Sequence, residues 1–335
     1  MGLSRAVKMI RHRDLLILIT VFAALAVVPL FLGGNLSVMN LLITCLIWAV
    51  VAAAWDLIMG FAGIFTFGQV AFFVIGAYTS AILTTRYGLS PWLGLPIGGL
   101  FTAVIGVLVA LPCLRLKGAY VALMTFGVHM ILAPFLNSEL GRAIGTGGTQ
   151  GMIGIPPLSL GDYQFSTLHL VPWFYSALVL ALIALLVIYR IIHSPWGLAF
   201  VAVRDSEVLA SSLGVNEFQY KLMVFGLSAF LTGVMGAFYA HYVGVLSTRI
   251  LGLDLFLILL VIIVLGGMGR FPGAVIGAFA TVFLSELLRP LGVYRPVIFG
   301  AAVVFLVLFV PQGAIGLLLS KRWPWHRLTR RAAHD

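Results

Sequence analysis

Long apolar runs, separated by short polar or Gly/Pro-rich breaks, occupy most of the chain. Runs such as 15–32 and 297–310 lack the alternation of apolar and polar positions that marks a membrane-spanning β-strand. Helices are then the spanning structure, because lipid offers no partner for open backbone groups. At about 20 residues per span, residues 1–335 predict one all-α, polytopic transmembrane domain of about ten helices. The predicted spans are 15–32, 36–59, 62–85, 91–111, 117–137, 171–189, 221–246, 253–268, 272–289 and 294–311.

Composition supports the membrane prediction. Hydrophobic residues make up 62% of the chain and charged residues 9%, whereas soluble domains carry about 25% charged residues. The mean hydropathy is +1.14. The two cysteines, Cys45 and Cys113, lie in or beside apolar runs without C-x-x-C spacing. They are expected to be small packing residues, and neither a disulfide nor a metal site.

The basic residues predict the orientation in the membrane. The net charge of +10 does not indicate nucleic acid, since the charges fall at the chain ends and in short loops. The amino-terminal apolar run is too long for a signal peptide and lacks a cleavage site, so it is expected to stay as the first span. With a cytoplasmic amino terminus, most Lys and Arg residues are inside, which predicts an even number of spans and cytoplasmic termini. The basic residues left outside are Arg86, Arg142, Arg249, Arg289 and Arg295.

Two connections are too long to be simple turns. In this topology, 138–170 is an extracytoplasmic loop and 190–220 is a cytoplasmic loop. Within the cytoplasmic loop, Ser194-Pro195-Trp196-Gly197 stops the preceding span, Leu198–Leu213 predicts an amphipathic helix, and Gly214 ends that helix. The helix either lies on the lipid headgroups or docks into a groove of a soluble partner. Amphipathicity alone does not separate these two interpretations.

Two glycine-rich breaks interrupt the spans at comparable places in the two halves. Gly60–Gly68 joins the second and third spans, and Gly266–Gly273 joins the eighth and ninth. Glycine in a membrane helix permits close packing, or it marks a broken helix whose backbone lines a pathway. The paired positions make the pathway interpretation as strong as the packing one. The candidate pathway or gate residues are Gly60, Gly63, Gly68, Gln69, Gly266, Gly267, Gly269 and Gly273.

A few polar residues fall inside predicted spans. A charge at mid-bilayer costs about 3 kcal/mol, so such groups should face protein or water. Asp56 and Glu286 are functional candidates, because a proton-coupled secondary transporter would use them as relays; structural caps near the span ends are the alternative. His129 and His241 have no ligand-spaced partner and are expected to form core hydrogen bonds. No convergent catalytic set indicates a membrane enzyme.

Several blocks, taken together, resemble the permease subunits of branched-chain amino-acid ABC importers, specifically the M-type partner of the paired H and M permeases. The resemblance covers most of the chain, from about Asn40 to Gly316. The inner-loop block contains Ser194-Pro195-Trp196-Gly197, Ala202-Val203-Arg204-Asp205, Ala210, Gly214 and Asn216. The other blocks are Gly60-Phe61-Ala62-Gly63, Phe67-Gly68-Gln69, Ala71–Tyr78, Thr146-Gly147-Gly148-Thr149-Gln150-Gly151, Gly266-Gly267-Met268-Gly269 with Gly273, and Pro311-Gln312-Gly313.

The resemblance implies roles for two of these segments. Arg204–Gly214 would be the coupling helix seated on a cytoplasmic ATPase subunit. The general importer signature there is Glu-Ala-Ala, three residues, then Gly, and only Ala210 and Gly214 match it. The implied coupling residues are Arg204, Asp205, Glu207, Ala210 and Gly214, and the implied docking residues for an extracytoplasmic binding protein are Thr146, Gly147, Gly148 and Gly151.

The resemblance also implies an assembly in a bacterial inner membrane. It comprises a homologous second permease, two cytoplasmic ABC ATPases and a binding protein, with no nucleic acid. No Gly-x-x-x-x-Gly-Lys-Ser/Thr motif occurs, so ATP and Mg²⁺ are expected on the ATPases, with no cofactor, metal or catalytic residue on this chain. The implied cargo is a branched-chain amino acid; importers of urea and short-chain amides share the architecture and remain the alternative.

Overall fold

The structure is a computed structural model that describes residues 19–30, 33–116, 118–161, 163–166 and 168–309. The ends of the first predicted span, the last residues of the tenth and the Pro311-Gln312-Gly313 block lie outside these residues. The described residues are mostly helical, as predicted.

The helices are α1 (Ile19–Leu30), α2 (Leu36–Asp56), α3 (Gln69–Tyr87), α4 (Pro91–Cys113), α5 (Ala119–Asn137), α6 (Glu139–Ile144), α7 (Val171–Ile192), α8 (Pro195–Asp205), α9 (Glu207–Ser212), α10 (Glu217–Val243), α11 (Leu253–Gly266), α12 (Gly273–Leu287) and α13 (Arg295–Phe309).

Short irregular and extended elements connect the helices. A π-helical turn, Leu57–Phe61, continues α2, and 3-10 turns cover Gly148–Gln150, Thr248–Leu251 and Arg289–Tyr294. Among the described connecting residues there are two antiparallel strand pairs, each strand two residues long. They are β1 (Met152–Ile153) with β4 (Val245–Leu246), and β2 (Ser159–Leu160) with β3 (Tyr163–Gln164).

Within the part of the chain that the structure describes, six helices are long and apolar enough to cross a membrane: α2 with its π turn, α3, α4, α5, α7 and α10. The helices α11 and α12 have 14 and 15 residues. At 1.5 Å per residue each is about 21–23 Å long, shorter than a hydrocarbon core of about 30 Å. The spans predicted at 253–268 and 272–289 therefore contain shorter helices than expected, and the count of ten spans stays a prediction.

The helix α2 lies at the centre of the bundle. It contacts α7, α10 and α12, and its side chains from Cys45 to Asp56 are all buried. A helix that is apolar on every face is expected to be surrounded by other helices. The preceding Asn35 caps α2, because its side-chain oxygen accepts from the backbone N–H groups of Ser37 and Val38.

Glycines allow α10 to pack closely against α3 and α4. Gly76 of α3 faces the Gly233 backbone of α10, and a methyl group on Gly76 would overlap with that backbone. A methyl group on Gly233 would overlap with the Thr102 side chain of α4. Gly236 of α10 lies against the backbone carbonyl of Phe73. Close backbone approach through small residues is the usual way in which membrane helices associate, since lipid supplies no hydrophobic force between them.

Gly236→Ala is expected to lower the midpoint of thermal unfolding in detergent. The added methyl group would overlap with the Phe73 carbonyl oxygen, a backbone atom that cannot rotate away, and overpacking of this kind costs about 1–3 kcal/mol. Gly226→Ala in the same helix is the matched control, because its methyl group would meet only the Val107 Cγ2 atom, at 3.0 Å. Equal midpoints for the two variants would contradict this account of the α3–α10 contact.

The connections gather at two ends of the bundle. At one end, called the loop end, the 138–170 segment packs against the α3–α4 and α10–α11 connections. The contacts are Arg86 Nη1 to the Ala143 oxygen at 2.8 Å, Trp92 Nε1 to the Ser159 oxygen at 2.6 Å, and His241 Nδ1 with the Pro156 oxygen at 2.7 Å. The opposite end, called the α8 end, carries α8 and α9.

The single helix predicted over Leu198–Leu213 is wrong. Ser206 is extended (φ −162°, ψ 109°) and separates α8 from α9. Its hydroxyl accepts from the Leu209 backbone N–H at 3.3 Å, so it acts as the N-cap of α9. The helix end predicted at Gly214 is present, because this residue has φ +84°, a conformation that glycine adopts without strain.

The third span also begins later than predicted. Residues 62–68 are not helical, and α3 starts at Gln69 rather than at Ala62. Gly63 has φ +70°, which an α-helix does not permit. The non-helical backbone is held by side chains, since Trp55 Nε1 donates to the Thr66 oxygen at 2.8 Å and the Phe67 N–H donates to Thr125 Oγ1 at 2.9 Å.

Candidate functional site

The two glycine-rich breaks meet at the α8 end. The π turn of α2 brings Gly60 against Gly269, and a methyl group on Gly60 would overlap with the Gly269 nitrogen and with the Asp56 carboxylate. Arg204 of α8 lies over Gly63. We call Asp56, Gly60, Gly63, Arg204 and Gly269 the glycine junction. It joins three separate parts of the chain, namely residues 56–63, residue 204 and residue 269.

Asp56 fixes the α11–α12 turn to α2. Its Oδ1 atom accepts the Gly269 backbone N–H at 2.7 Å, and the residue is 3% exposed. A buried carboxylate that accepts a backbone N–H forms a strong, charge-assisted hydrogen bond. Glu286 lies elsewhere, exposed, and pairs with Arg289 at 2.9 Å. The structure does not bring together the two carboxylates that were candidates for a proton relay.

Arg204 connects α8 to the junction. Its Nη1 atom donates to the Gly60 oxygen at 2.8 Å, and its aliphatic stem covers the Gly63 backbone. The Nε atom donates to Asp205 Oδ1 at 3.0 Å. Among the five residues assigned to the coupling helix, Arg204 therefore points back into the bundle rather than away from it.

The remaining glycines of the second break pack α11 against α12. Gly266 and Gly273 approach through their backbones, and Gly267, with φ +84°, ends α11. Gly68 differs, because a methyl group there would make only ordinary contacts of 3.6–3.7 Å. Three of these four glycines are thus explained by close packing and turn geometry.

Gln69, the first residue of α3, ties this helix to α10. Its Nε2 atom donates to Ser228 Oγ at 3.2 Å and to Thr232 Oγ1, and the residue is 1% exposed. The Oε1 atom has no hydrogen-bond partner among the residues that the structure describes. Gln69 therefore lies inside the protein, next to the first break but not on an open surface.

An aromatic cluster stands beside the first break. Phe67 contacts Phe126 of α5 and Phe256 of α11 edge-on, with ring centroids 6.4 and 5.3 Å apart. His129 stacks on Phe126, and its Nε2 atom hydrogen-bonds with the Leu251 oxygen at 3.1 Å. No sequence pattern predicts this cluster, since its members come from three distant segments and share no spacing.

Large apolar side chains project from α9 and from the residue that follows it. Val208 is 81% exposed, Leu209 64% and Leu213 76%, whereas Ala210 is 2% exposed. Glu207 does not extend freely, because its carboxylate accepts from Lys221 at 2.6 Å. Ala210 therefore packs within the chain, whereas Glu207 is ion-paired on the surface. The exposed positions are those where Val208 and Leu209 replace the first two residues of the importer signature.

The glycine-rich segment at the loop end forms a tight turn. Thr146 is 2% exposed, and its hydroxyl donates to the Leu136 oxygen at 2.7 Å. Gly147, Gly148 and Gly151 have φ values of +73°, +59° and +75°, which explains the choice of glycine at all three positions. Gly151 also lies against the Leu246 backbone, so this turn is attached to the α10–α11 connection.

Comparison with known proteins gives the family. A family model described as branched-chain amino acid transport system / permease component matches residues 37–311. The chain belongs to this family. It is therefore a transport subunit, a permease that crosses the membrane several times, as the sequence analysis predicted. No solved structure matches the chain.

Curated proteins provide individual relatives. The chain is 32% identical to the high-affinity branched-chain amino acid transport system permease protein LivM of Escherichia coli (strain K12), over 81% of this chain and 68% of that protein. It is 23% identical to LivH of the same organism, over 80% of this chain and 91% of that protein. The nucleoside ABC transporter permease protein NupC of Lactococcus lactis is 30% identical over 53% of this chain and 59% of that protein.

Proposed function

We propose that this permease forms, with a homologous second permease, the membrane pathway of an ABC importer for branched-chain amino acids. It lies in a bacterial inner membrane with both termini in the cytoplasm. Two ATPases, which bind ATP and Mg²⁺, dock at the α8 end, and a binding protein docks at the loop end. The main support for the proposal is the hydrogen bond between Arg204 and Gly60. It links α8, at the surface, directly to the glycine-rich break that follows the central helix α2.

The glycine junction is suited to transmit motion. A movement of α8 acts on Gly60 through Arg204, and on the α11–α12 turn through the Gly60–Gly269 contact. Packed backbones with discrete arrangements transmit such shifts better than exposed loops do. ATP-driven closure of the ATPases would thereby change both glycine breaks together, and neither Asp56 nor Glu286 is needed as a proton relay.

The turn around Thr146–Gly151 is proposed to contact the binding protein. Its glycines hold a fixed conformation, and Gly151 rests on Leu246, at the end of the strand pair that leads into α11. Docking there would press on the segment that contacts His129 through Leu251. A rigid turn at the mouth of the bundle is a better docking surface than a flexible one, because less conformational entropy is lost on binding.

The substrate is tested by competition in proteoliposomes that contain the full complex. Uptake of radiolabelled leucine, with the binding protein and ATP supplied, should be suppressed by unlabelled isoleucine and valine and unaffected by urea or uridine. Uridine represents the cargo class of the nucleoside relative. Import of urea or uridine in place of leucine would overturn the assignment of cargo.

Arg204→Ala is expected to reduce leucine uptake about tenfold while the ATPases continue to hydrolyse ATP. Loss of a hydrogen bond from a charged group costs about 1.5–3 kcal/mol, and 1.4 kcal/mol corresponds to tenfold. Uptake and phosphate release are measured on the same vesicles. Arg190→Ala, at the end of α7, is the control, since Arg190 is exposed and does not belong to the junction. Parental uptake by the Arg204 variant would contradict the proposed transmission.

A further inference from the structure

The helix α11 begins at mid-depth of the bundle. His129 Nε2 hydrogen-bonds with the Leu251 oxygen at 3.1 Å, just before α11 starts at Leu253. Residues 129 to 137 of α5 cover about 12 Å at 1.5 Å per residue, so His129 lies near the middle of this helix of 19 residues. The chain that leaves α10 at the loop end has therefore entered the bundle to that depth before α11 starts.

A charged residue stands at this depth. Asp254, in the first turn of α11, is exposed and forms no hydrogen bond or ion pair with any residue that the structure describes. A carboxylate so far inside a membrane faces protein or water, since lipid solvates a charge poorly. The preceding residues 247–252 are not α-helical, and open backbone inside a membrane also lies beside protein or a water-filled path. This side of the chain therefore does not face lipid.

His129 supplies a second unpaired acceptor beside the start of α11. A carbonyl oxygen can only accept, so the bond to Leu251 requires the hydrogen on Nε2 and leaves a free lone pair on Nδ1 of the neutral ring. Nδ1 has no partner among the described residues, although the side chain is fully buried. Buried polar atoms usually have a partner, so an unpaired one indicates a ligand or water. An ammonium group, which only donates, matches both Nδ1 and the Asp254 carboxylate.

Aromatic rings close the cleft between α5 and α11. Phe126, His129 and Phe256 form a triangle with ring centroids 5.6–6.2 Å apart. Among the described helices long enough to span a membrane, α5 is the least buried, so it can move with little loss of packing. Separation of α5 from α11 would open His129 and the aromatic surfaces toward the side on which Asp254 is exposed.

We propose that Asp254 and His129 form a subsite of the membrane pathway that receives the ammonium group of the amino acid during import. The Asp254 carboxylate supplies the charge, His129 Nδ1 accepts one ammonium hydrogen, and the aliphatic side chain contacts Phe126 and Phe256. The subsite replaces water around a cation that must cross the bilayer centre, and it opens only while α5 is displaced, so the cargo is released again. This inference rests on the proposed function and names the cargo contact within it.

Leucine uptake by charge variants of the complete complex tests the subsite. Asp254→Asn should lower uptake at least about tenfold, the effect of losing a hydrogen bond to a charged group, and Asp254→Glu should retain most of it. Glu139→Gln is the matched control, because Glu139 is also an exposed carboxylate in the first turn of a helix and should import at the parental rate. His129→Phe, which keeps a ring but has no acceptor, should also lower uptake. Parental uptake by Asp254→Asn would overturn the proposal, and parental uptake by His129→Phe would overturn the role of His129.

Cysteine labelling tests whether position 254 is reached by water. The permease first has its two buried cysteines, Cys45 and Cys113, replaced by Ala. Asp254→Cys should then react with the membrane-impermeant sulfonatoethyl methanethiosulfonate during ATP turnover in proteoliposomes. Val179→Cys should not react, although Val179 is 54% exposed and residues 171 to 179 of α7 also cover about 12 Å. Absence of reaction at position 254 would place this residue against protein or lipid and contradict the proposal.

The charge of the label separates a cargo contact from a mere opening. The sulfonate restores a negative charge at position 254, so leucine uptake by the labelled Asp254→Cys complex should recover at least about threefold over the unlabelled one. The trimethylammonium analogue of the reagent should give no recovery. Equal uptake with both labels would overturn the proposal. If the parental complex imports no leucine, the proposed function fails; if it imports leucine and Asp254→Asn does so equally well, only this inference fails.

Discussion

Replacing Val208 and Leu209 together with Asp is expected to abolish co-purification of the ATPase subunits with the permease. Both side chains project from α9, with 81% and 64% exposure. Burying a Val or Leu side chain in an interface contributes about 1.5–3 kcal/mol, and a carboxylate placed there must also lose its hydration. The two changes should weaken ATPase binding by at least about hundredfold. The measurement is the ratio of ATPase to tagged permease after purification in detergent.

Leu140→Asp is the matched control for this experiment. Leu140 is 69% exposed on α6, at the loop end, so the same chemical change should leave the ATPase ratio unaltered. Size-exclusion profiles of the two permeases without ATPases should coincide, because none of the three side chains is buried. If the α9 variant retains ATPases at the parental ratio, α9 is a helix on the lipid headgroups and its docking role is wrong.

Gly60→Ala is expected to eliminate leucine uptake. Its methyl group would overlap with the Gly269 backbone nitrogen and with the Asp56 carboxylate. The overlap would separate the two breaks and displace the hydrogen bond from Gly269 to Asp56, and neither backbone can rotate away as a side chain can. Uptake should fall at least about hundredfold, because overpacking and loss of a charged hydrogen bond each cost about 1–3 kcal/mol. The measurement is initial uptake in proteoliposomes.

The control for Gly60 is another glycine in a membrane-spanning helix. Gly127 of α5 has open space where its methyl group would lie, so Gly127→Ala should transport at close to the parental rate. Assembly with the ATPases is measured in parallel, so that a failure to fold is recognised. Normal uptake by an assembled Gly60→Ala complex would show that the contact between the breaks is dispensable.

The helices were the part of the fold that the sequence predicted well. Continuous apolar runs define α4, α5 and α7 to within a few residues of the predicted bounds, because the hydrocarbon core sets the length of an apolar segment. The break at Ser206 could not be predicted in the same way. The apolar pattern on both sides of Ser206 favours one continuous helix, whereas the Ser206 hydroxyl can cap a new helix. The sequence does not decide between one helix and two.

The sequence indicated which residues belong to the candidate site, but not which of them contact each other. The two glycine breaks were paired through their places in the two halves, and the structure brings Gly60 and Gly269 together. Asp56 was noted as a charge in a span, but its hydrogen bond to Gly269 depends on the turn between α11 and α12. The contact of Arg204 with Gly60 crosses 144 positions of sequence, and no local pattern encodes it.

The energy source for uptake distinguishes an ATP-driven importer from an ion-coupled transporter. Initial leucine uptake is measured in proteoliposomes of the complete complex, with ATP and a protonophore, and in vesicles that lack the ATPases but carry an imposed proton gradient. We expect full uptake in the first case and none in the second, because Asp56 bonds to Gly269 while Glu286 pairs with Arg289 elsewhere, and because the junction responds to α8. Uptake driven by the gradient without ATPases would contradict it.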